Sequence, residues 1–319
     1  MPVILTIVGI MNFKAVQWLK TRVAAPFSLY TVTVRVIHKA LGNLVLGLVI
    51  WMVAIAGLPC FQALAESSPA FAADNIQAFE SLKADAIRAT QSGDFATAEM
   101  YWSQLIDAFP DNAALLSNRG NVRASQNKLD EALADYNQAV DLAPLEADPY
   151  LNRGATLEAL GRWDEAIADY NQVLKIDPDD VAAFNNRGNA EAGKGNWDEA
   201  IADYMRAMEI DSGFLLAQIN YDLALYETGE TGKAIQNLKG LARKYPRFAD
   251  ARAALTAALW DQGLQGEAES NWVAAYGLDR RYRDTDWLLH IRRWPPSLVR
   301  ALDRFLKIEA MIPDGIGMG

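Results

Sequence analysis

The sequence predicts an all-α chain built as a stack of helix pairs, and three observations carry that expectation. Stepping by 34 residues from Ala98 gives Ala132, Ala166, Ala200, Ala234 and Ala268, an alanine every time. Four residues after each alanine stands a large side chain: Trp102, Tyr136, Tyr170, Tyr204, Leu238 and Trp272. Between these landmarks apolar residues fall three and four apart, as in Ala166, Ile167, Tyr170, Val173 and Leu174. That spacing marks one face of a helix, not the alternation of a strand.

In chain order, residues 1–65 come first, with five basic side chains and no acidic one. They contain the apolar run "LVLGLVIWMVAIAGL" from Leu44 to Leu58, and small-residue sites follow at 63–65 and 70–72. A basic stretch, an apolar core and an A-x-A site describe a secretory signal peptide, cleaved here after Ala65 or Ala72. The alternative is an uncleaved membrane anchor, since the run approaches the lower limit of about 17 residues for a spanning helix. The leader is long, so the start is either Met1 or Met11. No pair of arginines precedes the apolar core, which favours the general export route over the twin-arginine one. The only cysteine is Cys60; Pro59 stands where a lipoprotein signal needs a small residue, so the exported chain is expected to lack cysteine. Residues 66–78 read as a linker.

Six units follow: 79–112, 113–146, 147–180, 181–214, 215–248 and 249–282. Each is expected to hold two helices. The turn between them falls at Gly93, Asn127, Gly161, Gly195, Gly229 and Gly263, residue types that tolerate a left-handed backbone. A second stop closes four units, at Pro110, Pro144, Pro178 and Pro246. Units 113–146, 147–180 and 181–214 also carry Gly120, Gly154 and Gly188 at their eighth position, where the other units have Ala86, Asp222 and Thr256. Helix contacts in those other units are expected to be looser or differently packed. Arg119, Arg153 and Arg187 at position seven occur only with Asp135, Asp169 and Asp203 at position 23. This pairing predicts an Arg–Asp bridge between the two helices of a unit. Trp163 and Trp197 read as core residues at the starts of second helices.

The period, the mid-unit glycine, the alanine with an aromatic four residues on and the closing proline resemble the tetratricopeptide repeat family. The resemblance runs from about Phe79 to Tyr282. It implies a right-handed superhelical solenoid of about six helix-turn-helix repeats, with a concave groove lined by the first helix of each pair. Because one helix pair cannot cover its own apolar face, the stack needs a terminal cap. Residues 283–308 are expected to supply it: Pro295 and Pro296 suit the start of a last helix, and Leu298, Leu302 and Phe305 share a face. Residues 309–319 read as a flexible tail.

Charge narrows the partners. Residues 66–279 hold 17 Lys plus Arg against 35 Asp plus Glu, a net of −18. Such a surface repels phosphate backbones, so nucleic acid is not an expected partner. Residues 280–307 reverse the sign, with eight basic and three acidic side chains, a net of +5. This basic cap either docks on the acidic repeats or meets an anionic lipid or acidic partner, aided by Trp287 and Trp294. The sequence has two histidines, His38 and His290. A nucleophilic triad or a His/Cys metal site would lack its residues, so no enzyme, cofactor or metal is expected. Carboxylates such as Asp164-Glu165 and Asp198-Glu199 recur in register at helix starts, where they act on the helix dipole.

Binding is therefore argued from the groove. Positions two, six, nine and thirteen of a first helix share one stripe, because 100° per residue returns them to the same side. Position six holds Asn118, Asn152, Asn186 and Asn220, and position nine adds Asn121 and Asn189. Ala155, Ala159 and Gly193 keep the neighbouring floor small, while Leu223 interrupts the polar row. Asparagine is not favoured in mid-helix. An amide offers a donor and an acceptor, so this row could hold the main chain of an extended peptide. The alternative is that asparagine is a feature of this repeat subtype, bonding across helices or to water and copied by duplication. The row resembles the asparagine ladder of the repeats in O-linked N-acetylglucosamine transferases. The chaperone-tail variety of the family grips a carboxylate with Lys and Arg, which positions two, five, six and nine lack between 113 and 248. The resemblance further implies an exported scaffold similar to cyanobacterial or plastid lumenal members, in the thylakoid lumen or periplasm, whose client belongs to a membrane complex. The other readings are a homo-oligomer formed through the ends of the stack, and a membrane-surface protein held by Leu44–Leu58 or by the basic cap.

Overall fold

The computed structural model describes residues 69–309. The leader, Leu44–Leu58, the cleavage site after Ala65, Cys60 and the tail beyond 309 lie outside the described residues. Among these residues there are fourteen α-helices, one short 3-10 turn and no strand. Helix α1 (Pro69–Gln91) begins upstream of the first unit, inside the stretch read as a linker. Helix pairs then follow: α2 (Phe95–Ala108), α3 (Ala113–Ser125), α4 (Leu129–Leu142), α5 (Ala147–Ala159), α6 (Trp163–Ile176), α7 (Val181–Lys194) and α8 (Trp197–Ile210). The series continues with α9 (Leu215–Glu227), α10 (Thr231–Lys244), α11 (Ala249–Asp261) and α12 (Gln265–Leu278). The 3-10 turn (Arg280–Arg283), α13 (Thr285–His290) and α14 (Pro296–Glu309) end the described chain. No described helix is long and apolar enough to cross a membrane.

From α3 to α12 each helix packs on the next, so the fold is a helical repeat solenoid. The turns follow from local chemistry. All six mid-unit positions have positive φ, from 60° at Asn127 to 90° at Gly229, and each chain reversal needs this left-handed residue after the first helix. First helices start on side-chain caps where the sequence supplies one. Asn112 accepts from the Ala114 and Leu115 amides, and Asp180 from the Ala183 amide at 2.7 Å. Asp180→Ala removes that cap, and thermal denaturation should register a loss of about 1 kcal/mol. Second helices α6 and α8 carry no side-chain cap and open on Asp164-Glu165 and Asp198-Glu199. These acids complement the helix dipole.

In the regular units the first helix approaches the second through its glycine. A Cβ built on Gly120, Gly154 or Gly188 would lie 2.6 to 2.7 Å from the ring of Tyr136, Tyr170 or Tyr204. The glycine and the tyrosine sixteen residues on are therefore one packing device. The predicted Arg–Asp bridges form and are bidentate: Arg153 donates to Asp169 at 2.8 and 2.6 Å, and Arg119 and Arg187 do the same to Asp135 and Asp203. The third guanidinium nitrogen reaches back to the preceding unit, to Ser103, Asn137 or Asn171. Each arginine thus ties three helices together. Glu99 adds a further tie between the first two units, accepting from Arg123, Gln126 and Lys128. Burial raises its pKa, but those bonds outweigh it and hold the carboxyl at about 2.

The fifth and sixth units are differently packed, not looser. Nine residues of α11 are buried, including Thr256, whose hydroxyl bonds back to the Arg252 carbonyl. Helix α11 is apolar on two faces because α12 covers one and α14 the other. In the fifth unit Asp222 replaces the glycine, and the smaller Leu238 replaces the tyrosine opposite. Asn237 donates to the Asp222 carboxylate at 2.8 Å.

Candidate functional site

The six asparagines of the predicted row occupy the first helices α3, α5, α7 and α9, but they are not equally available. Tyr136 donates to Asn121 at 2.7 Å and Tyr204 to Asn189 at 2.9 Å, so the position-nine amides anchor the buried phenols. Asn220 donates to both Asn185 and Asn189 at 3.0 Å, and Asn185 donates to Asn186 at 3.1 Å. These amides form a knot between α7 and α9. Asn118 donates to its own helix, at the Ala114 carbonyl. Among the described residues the Asn152 side chain has no hydrogen-bond partner, and beside it Ala155 and Ala159 are exposed. Open amide positions thus lie on α3 and α5.

Further along, the groove face is covered by the chain itself. Helix α14 does not continue the stack beyond α12; it packs on α11 and α9, the first helices of the sixth and fifth units. Its apolar stripe explains this placement, since Leu298, Leu302 and Phe305 are buried against them. Phe305 meets the rings of Trp260 and Trp272 edge-on at 5.2 and 5.7 Å. Four basic or polar side chains fix the cap to acids of the first helices. Arg292 is bidentate to Asp250 at 3.0 and 2.8 Å, while Arg304 pairs with Asp261, Ser297 donates to Glu227, and Arg293 pairs with Glu158. The basic cap docks on the acidic repeats through these contacts. Trp294 is 2 % exposed, against Tyr282, and so offers no surface to an outside partner.

Glu158 was not singled out from the sequence. It stands at position twelve of α5, where the equivalent residues are Thr90, Ala124, Ala192, Tyr226 and Trp260. It is 3 % exposed and accepts from the Tyr170 hydroxyl at 2.7 Å. Trp163 is half-buried, packed against the core at Leu157 and Tyr170, and its open side forms one wall of the same place: the Arg293 guanidinium lies 5.9 Å from its ring centre. The ring rests flat enough on α7 that a Cβ on Gly193 would come within 2.9 Å of it. Trp197 is likewise half-buried and lines the cavity beside Asn189, Asn220 and Leu223. Burial pushes the Arg293 guanidinium below its ordinary value, and the Glu158 carboxylate lies against it. Proximity of Glu158 to Arg293 arises only in the folded chain, so no spacing in the sequence could have shown it.

Comparison with known proteins agrees with this architecture. A "TPR repeat" profile matches residues 120–161 and 157–195, and a "Tetratricopeptide repeat" profile matches 181–214. No curated protein is significantly similar to the chain. Among solved structures, a tetratricopeptide repeat protein from Parabacteroides merdae superposes with a TM-score of 0.55 at 20 % identity, covering 72 % of this chain and 99 % of that one. The APC/C hetero-tetramer Cut9-Hcn1 gives a TM-score of 0.58 at 16 % identity, covering 71 % of this chain and 42 % of that one. At such identities the likeness is one of fold. Residues 120–214 of the chain thus match tetratricopeptide repeat profiles and lie within a longer helical solenoid.

Proposed function

We propose that the chain is a non-catalytic scaffold that holds an extended segment of a client protein along α3 and α5. Tetratricopeptide repeats serve generally as protein-interaction modules, and Cut9 is itself part of a hetero-tetramer. The observation that carries the reading is the free amide of Asn152 beside exposed Ala155 and Ala159, with Asn118 in register one unit earlier. An asparagine side chain there can pair with a backbone N–H and C=O whatever the client's side chains. The basic leader and its A-x-A sites support export to a lumen or periplasm. There the scaffold would act as an assembly or accessory factor for a membrane complex, such as one of the thylakoid.

The test is co-purification from the native compartment. Partners recovered with the wild type should be lost with Asn118→Ala and Asn152→Ala combined, a variant that circular dichroism should find fully helical. If the same partners remain bound to the folded variant, the groove reading is wrong.

A further inference from the structure

The segment from Leu289 to Pro296 lies across the groove in the manner of a bound peptide. Three features separate it from an ordinary helix-to-helix connection. First, Arg293 has φ of 55°. A non-glycine residue is held in that conformation only where its surroundings over-determine it. Here the turn aims the guanidinium past Trp163 at Glu158.

Second, the receiving side is more elaborate than the repeat requires. The other first helices fold with Thr90, Ala124, Ala192, Tyr226 or Trp260 where α5 has Glu158, and only Thr90 likewise accepts from the aromatic twelve residues on. A carboxylate 3 % exposed is costly unless a cation or donor meets it. Tyr170 supplies one bond, and the remaining demand is for a cation entering from the groove. Trp163 offers that cation a ring face.

Third, the occupant fits imperfectly. The buried Nε1 of Trp294 has no hydrogen-bond partner among the described residues, and a cavity of about 230 Å³ remains between the segment and the helices. Leaving an indole N–H unpaired in the interior is unfavourable. An occupant of better fit, which left no such donor unpaired and filled the cavity, would compete well.

We propose that the pocket formed by Glu158, Trp163 and Trp197 is a binding site for an arginine–aromatic–proline segment of a partner protein, which Arg293-Trp294-Pro295 occupies in the partner's absence. The proposal rests on the reading that this groove binds protein, and it adds a second, gated station to the open one at Asn118 and Asn152. An internal occupant weakens the apparent affinity for an outside one by the fraction of time the site is free. Displacing the occupant should therefore strengthen binding in trans.

The probe is a fluorescein-labelled peptide of sequence IRRWPPS, the chain's own residues 291–297, titrated by anisotropy against the full chain. Arg293→Ala with Trp294→Ala should bind it about tenfold more tightly than the wild type does. Adding Glu158→Gln to that variant should abolish the gain. Equal affinity for wild type and a helical double variant overturns the proposal, as does binding that survives Glu158→Gln. Where the double variant loses its helical signal, hydrogen exchange on the wild type replaces it: saturating peptide should accelerate the amides of residues 289–294, and unchanged rates overturn the proposal. Sedimentation gives the remaining outcome. A concentration-dependent dimer of the wild type that the double variant lacks makes a second copy the occupant, and the partner proposal falls. Failure of the peptide while partners still depend on Asn118 and Asn152 sinks this inference and leaves the proposed function standing.

Discussion

Asp222→Asn should raise the melting temperature markedly at pH 8 and lower it slightly near pH 4. Asp222 is 2 % exposed. Burial pushes its carboxyl up to about 7, against smaller opposing effects of the Asn237 hydrogen bond and the Lys233 charge. A carboxyl whose value is higher folded than unfolded binds its proton more tightly in the folded chain. Its contribution to stability is therefore complete below the unfolded value near 3.8 and is lost progressively as pH rises to about 7. The span corresponds to roughly 4 kcal/mol by that linkage. Asparagine has nearly the same shape and can still accept from Asn237, but it adds a second buried N–H whose desolvation takes back about 1 kcal/mol or more. A net gain on the order of 2–3 kcal/mol at pH 8 follows. Chemical denaturation of both proteins at pH 4 and pH 8 measures it. Equal differences at the two pH values would mean that Asp222 titrates normally.

Gly154→Ala should destabilise the chain although alanine is the better helix former. In an unhindered helix the exchange is worth about 0.5–1 kcal/mol in alanine's favour. At this position the new methyl meets the Tyr170 ring at 2.7 Å, and that ring is fully buried with its hydroxyl committed to Glu158. It cannot swing aside without breaking the bond, so the two helices must part. Overpacking of this kind costs about 1–3 kcal/mol and outweighs the propensity gain. Gly240→Ala is the control, since nothing stands within 4 Å of its added Cβ; it should hold or raise stability. A thermal melt in which both variants gain would disprove the glycine–tyrosine coupling.

The periodic part of the fold was legible because repetition exposes it. The six left-handed turn positions and the Arg–Asp bridges could each be read by comparing a unit with its neighbours, and the structure contains them. What repetition does not mark stayed hidden. Asn121 and Asn189 share the stripe with Asn152, yet a tyrosine hydroxyl claims each of them, and only three-dimensional reach decides that. Thr256 and its neighbours looked like a weakened repeat because α11 is apolar on more than one side; the cause is α14, far along the chain. Trp163 looked like core alone for the same reason that Glu158 looked like any surface acid. Both depend on where residues 289–296 come to lie.

The largest apolar cluster among the described residues closes only with α14: Trp260 and Trp272 are capped by Phe305, and Leu255 shares their cluster with Leu298 and Leu302. A chain is made from its N-terminus, so this cluster stays incomplete until the last of the described helices has been synthesised. Every earlier helix pair can find its neighbour as it emerges, whereas α11 and α12 must wait with an aromatic face uncovered. A product cut short after Leu278 would display that aromatic face to proteases and chaperones, whereas one that includes α14 would cover it.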